Sequence, residues 1–192
     1  MKFTKIPVET FKNITLNAGI VLSKFDTETA TADAKDILGA TSGGITFSAK
    51  STYKDFGEDI DNCPKNTMEL KKLETWEATM SGDFATITPE LAKKLIGAAD
   101  LNGIEIKPRN DLKLTDFFDL WLVADYSSVN DGAEPGFAAI HLKNALSTGG
   151  FEMKTADKEK GKFSFEFTGH YSLEKQDEVP FDVYIKEGKE NV

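Results

Sequence analysis

The sequence predicts a mainly β protein, a sandwich or barrel carrying one packed helix. Three stretches predict it. Phe163, Phe165, Phe167, Gly169, Tyr171 and Leu173 alternate strictly with Lys162, Ser164, Glu166, Thr168, His170 and Ser172, the period of a strand with one buried face. From Leu73 to Ile87, Trp76, Ala78, Met80, Gly82 and Phe84 share one parity, while Thr75, Glu77, Thr79, Ser81 and Asp83 share the other. One helix is well signalled, with Thr88 as N-cap, Pro89 in the first turn and Glu90 at the positive end of the helix dipole.

Along the chain, Ile20-Val21-Leu22 reads as a short strand core after Asn17-Ala18-Gly19. Thr27 to Ala40 is polar and reads as a loop with one helical turn. Gly43-Gly44 opens a strand over Ile45 to Ala49. Tyr53 to Asn66 is rich in turn formers, part of a long exposed loop expected over 50–72. Gly82 marks a bulge or bend in the long strand that follows. In the helix, Leu91, Leu95, Ala98 and Ala99 lie on one side, and helical sense ends near Asp100 to Gly103. Ile104-Glu105-Ile106 reads as a strand closed by Pro108. Phe117 to Tyr126 is a mainly apolar strand, either buried on both faces or placed at a subunit contact. Asn130-Asp131-Gly132 signals a turn before a strand over Phe137 to Leu142. Phe151 and Met153 precede a charged turn, Asp157 to Gly161, that leads into the alternating strand from Lys162. Phe181 to Ile185 is the last strand.

The 192 residues, 40% hydrophobic and 29% charged, fit a single domain over 1–192. No apolar run is long enough to span a membrane; the best, Phe117 to Ala124, is short and interrupted by Asp119. Met1 to Pro7 lacks the apolar core of a secretory signal, so the sequon Asn13-Ile14-Thr15 carries no expected glycan. The single cysteine, Cys63, cannot form an intrachain disulfide. Synthesis in a reducing cytoplasm is the expectation. The net charge is −9, and Arg109 is the one arginine among 23 basic residues. Readers of base edges and phosphates lean on arginine, so specific nucleic-acid binding is not expected. Such a surface suits DNA that passes without sticking.

No Gly-x-Ser-x-Gly, phosphate loop, dinucleotide fingerprint or Cys-x-x-Cys occurs. His141 and His170 lie in separate predicted strands with no ligand partner at metal spacing, and Cys63 reads as a small residue in a turn. The expectation is therefore no enzyme, with no catalytic, cofactor-binding or metal residue. Asp55, Glu58, Asp59 and Asp61 could together bind an ion or supply paired carboxylates. The calcium-loop glycine and distal glutamate are missing, and a solvated or partner-contacting acidic loop is the plainer reading. Asp55, Glu58, Asp59, Ile60, Asp61 and Asn62 are the candidate inter-subunit contacts. The stripes Trp76/Met80/Phe84 and Phe163/Phe165/Phe167 read as core, with members available to cover a neighbouring subunit.

Six stretches carry a family resemblance: Lys54 to Asn66, Glu69 to Trp76, Asp119-Leu120-Trp121, Asp125-Tyr126, Lys143 to Phe151 and Thr168-Gly169-His170-Tyr171. In their order and spread the chain resembles the major tail (tail tube) proteins of siphophages infecting low-GC Gram-positive bacteria. The resemblance implies a β-sandwich or barrel of the phage tail-tube type, with extended loops and terminal arms, here an N-terminal arm over 1–17. It implies a structural virion protein, made in the host cytoplasm, whose hexameric rings stack into the tube that delivers genomic DNA. Its implied partners are itself, a tape-measure protein, a tail terminator and a distal tail protein. DNA would pass the lumen without specific binding, and six copies at −9 each would carry −54, a charge that repels phosphates where it faces the lumen.

Two other readings stand beside it. A monomeric β-sandwich binding module for carbohydrate or a host surface would line a groove with Trp76, Trp121 and Tyr126. A related ring, such as a tail terminator or a tube-like secretion protein, would share the fold and differ in stacking.

Overall fold

β1 (Ile20–Leu22), β7 (Phe118–Asp125) and β8 (Phe137–Ser147) form the middle of one half of the fold, all antiparallel, with β2 (Ile37–Gly39) outside β1 and β11 (Phe181–Lys186) on the other side of β8. The other half is built on β4 (Lys71–Phe84), with β3 (Thr41–Asp55) on one side and β10 (Lys162–Thr168) on the other, and β9 (Glu152–Lys154) pairing β10. In this computed structural model, the described residues are 17, 19–126, 136–155 and 157–188. The expected arm over 1–17, except Asn17, and the turn Asn130-Asp131-Gly132 lie outside them.

β8 joins the halves. Its first part, Phe137 to Leu142, sits between β7 and β11, whereas Leu146 and Ser147 pair Thr168 and Phe167 of β10. Between them β8 bulges: Leu120 pairs Leu142 but Phe118 pairs Ala145, and Asn144 takes φ 47. The resulting sheet runs β2-β1-β7-β8-β10-β4-β3, ends at β2 and β3, and is an open, mainly β architecture and not a closed barrel. Both halves fold over one core. Val21, Leu120, Leu142 and Ala145 meet Met80, Phe84, Phe163, Phe165 and Phe167 there, with Leu91 and Leu95 of the helix. A smaller cluster on the outer face of the first half holds Leu22, Phe25, Phe137 and Ala139.

The parities of the two long strands hold: Ala78, Met80, Phe84, Phe163, Phe165 and Phe167 are all buried. Several boundaries differ from the sequence reading. β3 begins at Thr41 and runs to Asp55, because Gly43 and Gly44, both at positive φ, form a bulge opposite Gly82 where pairing shifts from Ser42↔Asp83 to Ile45↔Gly82. α1 (Pro89–Ile96) keeps its Thr88 cap, whose Oγ1 accepts the Leu91 N–H at 3.2 Å, but ends before the expected Asp100 to Gly103. Gly97 turns the chain at φ 84, so Ala99, read on the helix's apolar side, instead opens β5 (Ala99–Asn102), which pairs β6 (Glu105–Pro108), the strand expected around Ile104 to Ile106. β10 stops at Thr168 and not at Leu173. Gly169 packs where a Cβ would lie 2.7 Å from Leu142 Cδ1, His170 turns toward β8, Tyr171 is only half-covered and Leu173 points to solvent. No helix among the described residues is long and apolar enough to cross a membrane.

The single arginine works inside the fold. Arg109 Nη2 grips both Asp116 oxygens, at 2.6 and 2.7 Å, and Nε lies 3.1 Å from Asp100 Oδ1, fastening the β5–β6 hairpin to the turn before β7. Burial alone would raise the Asp116 carboxyl, but the Lys113 backbone N–H and the guanidinium outweigh it and hold the group below the usual carboxylate range.

Candidate functional site

The β3–β4 hairpin leaves the rest of the molecule. β10 accompanies β4 as far as Thr168↔Thr79; beyond, Thr52↔Thr75, Tyr53↔Leu73, Lys54↔Lys72 and Asp55↔Lys71 pair, among the described residues, only with each other. Both faces of this stretch are open to solvent. Tyr53 and Leu73 share one face at about half exposure, and Phe56, also half exposed, belongs to the other. Lysines sit over the rings: Lys71 Nζ over Tyr53 at 5.7 Å, Lys54 and Lys72 over Phe56 at 5.4 and 5.7 Å.

The segment read as a loop over 50–72 is thus strand to Asp55 and again from Lys71, with a folded tip at 56–70. Asp55 organises the tip. Its carboxylate accepts the Gly57 N–H at 2.9 Å and the Asn66 N–H at 2.7 Å, and these bonds, in that order of weight, hold its pKa below the ordinary value. Phe56 N–H donates to the Leu70 carbonyl at 3.0 Å, and Thr67 Oγ1 to the Pro64 carbonyl at 2.6 Å. Gly57 is buried; a Cβ there would stand 2.8 Å from Leu70 Cδ1 and 3.2 Å from Cys63 Sγ. Cys63 is therefore an inward-facing part of the tip. Of the six candidate contacts, Asp55 faces the loop's own backbone, while Glu58, Asp59, Ile60, Asp61 and Asn62 form the solvent-facing end. Among the described residues no three His, Cys, Asp or Glu side chains converge as a metal site.

A second feature lies on the outer face of β7, β8 and β11. Trp121 pairs His141 across the strands, and their rings stack at 4.1 Å with 6° between planes; Tyr184 stacks on Trp121 at 5.7 Å. His141 sits between Asp119 and Asp182, and Lys143 Nζ reaches Asp182 at 2.8 Å and Glu178 at 3.6 Å. Burial lowers the His141 pKa, outweighing the carboxylates that favour its cation. The sequence carried no sign of this stack beyond strand parity, since pairing of Trp121 with His141 depends on register. Trp76 lies elsewhere, edge-on to Phe181 at 5.5 Å, and both tryptophans are part-buried. Trp76 and Trp121 do not line a common groove.

At the root of the hairpin is a groove of about 510 Å³, lined by Leu114, Phe117, Asn144, Tyr171, Leu173 and Glu174. The Tyr171 hydroxyl accepts the Trp76 N–H at 2.9 Å, which ties the groove to the point where β4 loses β10. Leu114 and Leu173 are 90% and 87% exposed on its walls. His170, its ring edge-on to Phe117 at 5.2 Å, is held behind it by Asn144.

No protein-family model matches the sequence, and no curated protein does. Among solved structures the chain is similar to one from the virion of a native gene transfer agent (GTA) particle, at a TM-score of 0.42 and 6% identity, over 81% of this chain and 92% of that one.

Proposed function

We propose that this chain is a structural protein of a phage-like particle, and that it self-assembles into stacked hexameric rings that form a tail tube. The observation that carries the reading is the β3–β4 hairpin. An extended two-stranded ribbon with both edges unpaired among the described residues and large apolar side chains on both faces is a liability in a monomer, and one that assembly removes. Its tip is held rigid by Asp55, so little conformational freedom is lost when it docks.

Other features fit. β11 presents a further edge unpaired among the described residues, with Val183 and Ile185 53% and 62% exposed. The one arginine is consumed by Asp116, leaving an acidic, lysine-dotted surface past which DNA would slide without specific contacts. The tape-measure protein, tail terminator and distal tail protein are the partners this reading implies, with the virion as the final location. The monomeric binding module gains little support, because two of its three aromatic candidates, Trp76 and Trp121, are engaged with Phe181 and His141 in separate places.

Negative-stain electron microscopy of the purified chain at rising concentration tests the proposal. Rings or tubes with a central hole are expected. Single rings that never stack would shift the assignment to a terminator-like ring, and monomers alone at the highest soluble concentration would overturn self-assembly.

A further inference from the structure

We infer that the groove of Leu114, Phe117, Tyr171 and Leu173 is the acceptor for the β3–β4 hairpin of a second copy of this chain. The inference rests on the ring-assembly reading and names its contact.

Two surfaces lack partners among the described residues, and they suit each other. The groove is walled by the exposed Leu114 and Leu173, with Phe117 also in its lining. The hairpin carries Tyr53, Leu73 and Phe56 at a width of only two strands. The charges are complementary. On the hairpin, Lys54, Lys71 and Lys72 surround those rings. On the groove side, the segment from Tyr171 to Glu178 carries Glu174, Asp177 and Glu178 against Lys175 alone. Glu178 is already bridged by Lys175 and Lys143, whereas Glu174 and Asp177 make no ion pair among the described residues. Burying lysine-ringed aromatics beside Glu174, which lines the groove, with Asp177 three residues further along the same segment, satisfies both signs at once.

The hairpin cannot serve its own groove. Tyr171 is pinned to Trp76 at the hairpin's root, and the ladder from there to Lys71 extends about 15 Å outward at strand rise. Folding back would break that ladder. The occupant is then another copy, in a contact between two different patches, the head-to-tail kind that closes rings or propagates a stack.

The test is a charge swap read by the concentration at which assembly begins, followed by sedimentation and light scattering. Glu174→Lys with Asp177→Lys should raise that concentration roughly tenfold or more, as should Lys54→Glu with Lys72→Glu. All four together should restore it toward the parent value. All these positions are exposed, so the monomers should keep their circular dichroism and melting behaviour. A second readout does not depend on tube growth. In a Cys63→Ser background, Phe56→Cys and Leu173→Cys should be joined between copies by a short bis-maleimide. Assembly unchanged by either reversed pair, a four-fold variant no better than its parents, or cross-links formed only within one copy would each overturn the contact. Rings that persist in the reversed variants would do so while leaving the tube reading standing. A parent chain that never assembles would remove both.

Discussion

Asn144 and His170 hold each other through a reciprocal pair of bonds. Asn144 Nδ2 donates to the His170 carbonyl at 3.1 Å, and His170 Nδ1 lies 3.1 Å from the Asn144 carbonyl. The pair closes the corner at which β8 passes from β7 and β11 to β10, and Asp119 Oδ1 accepts the Asn144 N–H at 3.2 Å on the same bulge. Asparagine suits the site twice, since it tolerates φ 47 and its amide reaches the opposing chain.

Asn144→Ala should therefore cost about 2 kcal/mol, the sum of a left-handed backbone penalty and a lost hydrogen bond. Asn144→Gly keeps the backbone and should cost about 1 kcal/mol less than the alanine variant. Urea unfolding of the monomer measures both; equal losses would show that the backbone conformation is not the constraint.

Phe167 is fully buried, edge-on to Phe118 at 5.4 Å and 5.5 Å from Phe165, where the two halves share their core. Phe167→Ala should destabilise by about 3–5 kcal/mol, a cavity cost that Tyr171→Ala, half exposed after the strand ends, should not approach. Thermal denaturation compares them.

Asp116 makes acid stability predictable. Its folded pKa lies below the ordinary 3.8, so its contribution is fully present above about pH 4 and is lost as pH falls through the folded value. Asp116→Asn should lower the melting temperature at neutral pH and flatten the acid limb of the stability curve. An acid limb identical to the parent's would show that other carboxylates set it.

His141 behaves with the same sense at a higher pH. Its folded pKa is lowered from 6.5 by burial, with Asp119 and Asp182 opposing and Lys143 adding to the shift. Neutral His141 is favoured in the fold, so stability falls as pH drops below about 6.5 and the unfolded chain takes up the proton first. Trp121, stacked on the ring, should report the change as a fluorescence titration with a midpoint below that of a free histidine. The signal should vanish in His141→Phe and persist in Trp76→Phe.

At the hairpin tip, alanine at Glu58, Asp59 and Asp61 should impair ring or tube formation while moving monomer stability by no more than about 0.5 kcal/mol. Asp55→Ala should act differently. It frees the Gly57 and Asn66 amides, and faster hydrogen exchange at those two positions is the readout.

Local chemistry written in the sequence survives into the structure wherever the partner is a near neighbour. The Thr88 cap, the buried parity of Ala78, Met80 and Phe84, and the alternation from Lys162 to Thr168 are of this kind, because each needs only helical or strand geometry and one apolar side to face inward. The exposed tip between Asp55 and Lys71 is legible from its turn formers, and Glu58, Asp59 and Asp61 at its solvent-facing end from their charge. The remainder was decided by long-range pairing. Lys162 to Leu173 reads as one strand, yet β10 ends at Thr168 because Gly169 must fit against Leu142 and His170 must reach Asn144, both supplied by β8. Leu173 thereby becomes a groove wall instead of core. Tyr53 and Lys54 read as loop, yet they are strand because Leu73 and Lys72 lie opposite in register. The stacking of Trp121 on His141 and the grip of Arg109 on Asp116 join residues whose alignment no local period encodes. Periodicity determines which face a residue presents; only the packed chain determines what that face meets.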